Sequence, residues 1–142
     1  MALNPYQKYQ ENKIEGSSQG EMIILLYEGC IRFINEALIF IEDKKIQDAH
    51  NKIIKAQRII NELMVTLDFD AGGEIAQNLY NLYDFIMNEL IRANIKKEPD
   101  GLLNSIEVMQ ELLEAWKIVI KTAQLEAQQQ EQQANISINF SS

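Results

Sequence analysis

The chain has 142 residues, enough for one domain that buries roughly 65–70% of its unfolded surface without a staple. Its formal net charge of −8 argues against nucleic acid as a partner, because phosphate-backbone binding rests on Lys and Arg neutralising phosphates. The single cysteine, Cys30, excludes an internal disulfide, and its place in an apolar stretch predicts a buried, inert thiol.

Residues 1–17 are polar, with Asn4-Pro5 as a turn signal. Tyr6 and Tyr9 are spaced to share one side of a short helix, which suggests a mobile segment that docks on something apolar. The leader lacks the apolar core of a signal peptide. The longest strictly apolar run, Met22–Tyr27, is far short of the ~18 residues that span a bilayer. The expectation is a cytoplasmic protein without membrane insertion.

Ser18-Gln19-Gly20-Glu21 reads as a capping box that opens the first helix. From Glu21 to Ile41 only Glu21, Glu28, Arg32, Asn35 and Glu36 are clearly polar, and they fall within an arc of roughly 100°. The remaining arc is far wider than one packing face needs. The helix is therefore the centre of a crowded bundle, or it keeps apolar surface for a partner. Its end is expected near Asp43, where Lys44 and Lys45 suit the negative end of the helix dipole.

A second helix is predicted over 46–68, with Ala49, Ile53, Ala56, Ile60, Leu63 and Leu67 forming a bundle seam. Gly72-Gly73 marks a turn. A third helix should start near Glu74, with Ala76, Tyr83, Leu90 and Ala93 on its period and Ile75, Leu82 and Ile91 as a second stripe. It should stop before Pro99, which disfavours helical backbone at Glu98. A fourth carries Leu102, Ile106, Met109, Leu113, Trp116 and Ile120. Beyond Thr122 the pattern dilutes into a glutamine-rich run that buries little and is expected to fray. The final NISINFSS alternates like a short strand and is expected to be mobile. The fold predicted is all-α: an antiparallel up-down-up-down four-helix bundle over 18–123, with a flexible segment at 1–17 and an extension and tail at 124–142.

Little in the sequence points to catalysis, a cofactor or a metal. His50 is the one histidine, and Gln47 stands where a di-iron bundle would need a glutamate. Cys30 sits mid-helix with no glycine-rich elbow, and Gly72-Gly73 belongs to no phosphate loop. A histidine phosphotransfer bundle using His50, with Lys52 and Lys55 near it, is one alternative. Yet Ile53 and Ile54 stand where that family resembles a Lys-Gly pair. A structural bundle that self-associates through its spare apolar arc is another.

Taken together, the leader Asn4-Pro5-Tyr6-Gln7-Lys8-Tyr9-Gln10-Glu11-Asn12, then Ser18-Gln19-Gly20-Glu21-Met22 and Leu26-Tyr27-Glu28-Gly29-Cys30-Ile31-Arg32-Phe33 form an ordered pattern. Leu67-Asp68, Gly72-Gly73-Glu74-Ile75-Ala76, Asn78-Leu79, Leu82-Tyr83, Ala93-Asn94 and Leu112-Leu113-Glu114-Ala115-Trp116 continue it. The chain resembles the flagellar secretion chaperone FliS family over about residues 4–120. Gln19 stands where that family often has proline.

The resemblance implies a non-enzymatic export chaperone. Such a protein would bind the disordered C-terminal segment of flagellin, prevent premature polymerisation and keep the subunit competent for type III export, with the export gate as a further partner. Candidate cargo residues are Tyr6, Tyr9, Ile23, Tyr27, Ile31, Leu79, Tyr83, Ile86 and Val119, with Tyr83 and Trp116 read first as core anchors. The leader tyrosines would cover apolar surface until cargo displaces them.

Overall fold

The computed structural model describes residues 17–141, which form four helices and no strand. These are α1 (Ser17–Glu42), α2 (Ile46–Val65), α3 (Phe69–Lys96) and α4 (Asp100–Ser141). They make the all-α antiparallel bundle expected from the sequence. Contacts divide the chain into two compact units: Leu25–Leu113, and Met1–Ile24 together with Glu114–Ser142.

The first unit contains the core. From α1 it buries Tyr27, Cys30, Ile34 and Ala37; from α2, Ala49, Ile53, Ala56, Ile60 and Leu63. Helix α3 adds Ala76, Tyr83, Ile86, Leu90 and Ala93, and α4 adds Leu102, Met109 and Leu113. The expected seam of α2 is thus buried, except that Leu67 is half-buried in the turn that follows. Ser105 is the buried polar residue of α4, and its hydroxyl donates to the Gly101 carbonyl at 2.7 Å. That back-bond satisfies the hydroxyl inside its own helix, so it needs no water.

The turns account for the element boundaries. Lys44 adopts a left-handed φ of 60°, and the amides of Lys44 and Lys45 donate to the carbonyls of Ile41 and Phe40. This is a Schellman closure built on lysine rather than glycine. Helix α2 ends at Val65, earlier than predicted, because Asp68 is used elsewhere. Its backbone is extended and its carboxylate accepts from the Ala71 amide at 3.0 Å, capping α3. Helix α3 therefore begins with a turn at Phe69, not at Glu74. Gly73, at φ 52° and ψ −122°, then breaks the helix before its main run. Lys97, also left-handed, closes α3, and its ammonium donates to the Asn94 carbonyl and side-chain oxygen.

In the second unit, α1 is already helical at Ser17, which places Ser18 inside the helix rather than at its N-cap. A Cβ on Gly20 would lie 2.9 Å from the Ile120 side chain, so glycine lets α1 and α4 approach closely there. Helix α4 continues through the glutamine-rich run to Ser141, and NISINFS is helical, not strand-like. Alanine, glutamine and glutamate are good helix formers, and extending an existing helix needs no new nucleus.

Gly101 opens α4 beneath the Glu89 carbonyl, and a Cβ there would stand only 2.7 Å from that oxygen. Gly101→Ala should lower stability in urea titrations by ~1–3 kcal/mol, since backbone rather than a flexible side chain would have to move.

Candidate functional site

The apolar periodicity of α3 is wider than its buried stripe, and the excess lies on both flanks. One flank faces α2. There His50 Nδ1 lies 3.0 Å from Asn94 Nδ2, which fixes the register of the two helices. Moving along α3 away from that contact, Ile91 and Tyr80 are exposed and Met87 is half-buried, while Ile54 and Met64 of α2 are half-buried. Phe69 meets Tyr80 edge-on at 6.0 Å, and Val65 beside it is exposed.

The other flank faces α4, where Asn104 Nδ2 donates to Glu89 Oε2 at 3.4 Å. One turn along each helix from that contact stand Phe85, 45% exposed, and Val108, half-buried. Leu82, 37% exposed, and half-buried Leu112 continue the track. These side chains follow helical spacing and leave apolar surface open along most of α3. Near the α3–α4 turn the surface becomes polar. A shallow depression of about 300 Å³ is lined there by Arg92, Lys96, Glu98 and Asp100 among others.

The sequence-predicted contact residues are distributed unevenly. Tyr27 and Tyr83 meet directly, their hydroxyls 2.5 Å apart and their rings 6.3 Å apart, and both are buried. Ile86 is buried as well. These three are core residues of the free chain. Their positions on the apolar stripes of α1 and α3 were compatible with either role. Ile31 and Leu79 are half-buried. Ile23 and Val119 belong to the second unit, the former half-buried and the latter 57% exposed. Tyr6 and Tyr9 lie outside the described residues. Trp116 is half-buried rather than a full core anchor. Phe85, which is not among the sequence-predicted residues, and Leu82, part of the second stripe, are both exposed. That stripe was the available signal: a helix with more apolar positions than one face can bury.

Groups with potential chemistry are quiet. Cys30 is buried, its thiol directed at the Ala56 carbonyl at 3.8 Å, and burial pushes its pKa up to about 12. His50 is half-buried against Asn94. Among the described residues no cluster of side chains is arranged to hold a metal ion, and no helix is long and apolar enough to cross a membrane.

The described residues thus form an all-helical bundle with open apolar tracks. The model of the family described as flagellar protein FliS matches residues 2–123. The flagellar secretion chaperone FliS of Bacillus subtilis (strain 168) is 35% identical over 84% of this chain and 88% of its own length. That of Campylobacter jejuni is 34% identical over 80% and 89% respectively. A crystal structure of a bacterial flagellar chaperone superposes with a TM-score of 0.72 at 25% identity, covering 82% of this chain and 95% of that one. The chain belongs to the FliS family of flagellar secretion chaperones.

Two consequences of the core can be measured. Replacing Tyr27 and Tyr83 by phenylalanine, singly and together, should reveal a coupling of ~0.5–1.5 kcal/mol in a double-mutant cycle. Cys30 should resist thiol reagents at neutral pH until urea unfolds the chain. Because its folded pKa is raised from 9.0 to about 12, the unfolded state releases its proton first. The thiol's contribution to stability should be intact below pH 9 and be lost as pH rises towards 12.

Proposed function

We propose that the chain is a cytoplasmic export chaperone that binds the disordered C-terminal segment of flagellin. Binding would prevent premature polymerisation and keep the subunit competent for type III export, with handover at the export gate. Family membership supports this reading, and the observation that carries it on this molecule is the exposed apolar surface on both flanks of α3. A disordered segment that orders on binding must offset the entropy of its own backbone, so it needs an extended apolar track rather than a small pocket. Amphipathic turns of the cargo would lay their apolar faces against Leu82, Phe85, Val108 and Leu112, and against Tyr80, Met87 and Ile91. Of the residues first nominated, half-buried Ile23, Ile31 and Leu79 and exposed Val119 remain candidates. In the free protein Tyr6 and Tyr9 would cover part of this surface and be displaced by cargo. The role is binding, not catalysis.

Calorimetric titration with a peptide of the flagellin C-terminal segment should give saturable 1:1 binding with a negative heat-capacity change. Circular dichroism should register a gain in helix. Leu82→Glu and Phe85→Glu should each weaken binding roughly tenfold while leaving thermal melting almost unchanged. Tyr6→Ala/Tyr9→Ala should alter affinity without altering helicity. Absence of binding, together with a stable oligomer in sedimentation that flagellin does not disturb, would favour a self-associating bundle instead.

A further inference from the structure

The α1/α2 face has a chemistry of its own. Phe33 of α1 is half-buried, and three cations gather over its ring. Arg32 Cζ lies 5.1 Å from the centroid, and Lys52 Nζ and Lys55 Nζ both lie at 5.5 Å. Two turns further along α1, half-buried Phe40 has Lys45 Nζ at 6.0 Å. Gly29 is buried between the helices, and a Cβ there would touch Ile59 Cδ1 at 3.4 Å. Glycine thus brings the two helices together beside Phe33, and exposed Leu25 continues the apolar floor one turn beyond.

Over residues 25–59 six cations stand beside five carboxylates, so this part of the chain is close to neutral while the whole chain carries −8. Around Phe33 the three cations face one carboxylate, Glu36, which lies 2.8 Å from Lys52 and 3.9 Å from Arg32. Asp48 lies one turn before Lys52 on α2, and Glu62 lies two turns after Lys55. Among the described residues neither is in ion contact with these cations. A chain of net charge −8 thus gathers three cations around the half-buried Phe33 ring and places one beside Phe40 on the same helix–helix groove. Long lysine side chains can lie along an apolar ring and keep their ammonium groups in water. On binding, the same groups can turn towards external carboxylates without leaving the rings.

We propose that the α1/α2 groove is a second docking surface, for an acidic amphipathic segment of another protein. It is separate from the α3 flanks and does not depend on what binds there. The segment would set apolar residues two turns apart against Phe33 and Phe40 and direct carboxylates at Arg32, Lys45, Lys52 and Lys55. Charge complementarity favours a peptide over a polyanion. Carboxylates interleave with these few cations, and the rest of the acidic surface would repel a nucleic acid or an anionic bilayer.

The test uses the full chain, nitrogen-15 labelled, and a short synthetic helical peptide with leucines two turns apart flanked by glutamates. A second peptide replaces every glutamate by glutamine. The acidic peptide should shift amides within 25–40 and 45–59, and the glutamine peptide should bind roughly tenfold more weakly. Lys52→Gln/Lys55→Gln should lose a similar factor for the acidic peptide while helicity is unchanged. Raising salt should weaken the acidic peptide alone. Equal affinity for the two peptides, shifts confined to the Leu82–Phe85 flank, or no shifts with either peptide would each overturn the proposal. Binding of the flagellin peptide in the same samples reports on the α3 flanks independently.

Discussion

The surfaces of this bundle follow from the small residues set among the large ones in its core. Ala37, Ala49, Ala56, Ala76 and Ala93 are all buried in the Leu25–Leu113 unit, joined by Cys30 and Ser105. Helix axes approach more closely where the contacting side chains are small. A narrow core holds fewer large residues, yet the helices carry many. Phenylalanines 33, 40, 69 and 85 are consequently half-buried or exposed, as are Leu82, Ile91 and Met87. Tyr27 and Tyr83 are the largest of the fully buried side chains. Their bulk is accommodated because they meet across the core and join their hydroxyls, so neither polar end is stranded.

This arrangement explains which parts of the molecule were legible from residues alone. Periodicity located every helix, since an alanine at a seam position is as good a marker of the core face as an isoleucine. It did not separate core from contact surface on α1 and α3. Tyr27 and Leu25 both read as apolar positions of one wide arc, yet the first is fully buried and the second is exposed. That difference depends on where neighbouring helices sit, which no local pattern encodes. Boundaries failed where one residue had two possible uses. Asp68 could have ended α2 or capped α3, and its carboxylate settled on the Ala71 amide. Gly73 was correctly marked as a break in direction, although a helical turn precedes it. The C-terminal run was misjudged because its alternation of Ile136 and Ile138 was weighed without the helix already formed before it.

An open apolar surface such as the α3 flanks, used for binding as proposed above, would select weakly. Apolar burial is non-directional and rewards almost any chain that brings enough apolar area. That would suit a chaperone that holds a segment without locking it into one fold. The drawback is that the same surface attracts other copies of the chaperone. A net charge of −8 opposes this, because like-charged molecules repel at long range.

The cations around Phe33 sit awkwardly in that scheme unless they have a separate task. If general repulsion were the only demand on the surface, exposed aromatics would be flanked by carboxylates. At Phe33, Arg32, Lys52 and Lys55 instead converge on one ring, with Glu36 as the carboxylate in contact with two of them. Surface ion contacts of this kind add little to stability, so stability alone does not call for the cluster. Charges at an interface do more for the choice of partner and the rate of encounter than for raw affinity. Two grooves of different character on one small bundle would let apolar cargo be held loosely on one side while a chosen acidic partner is recognised on another.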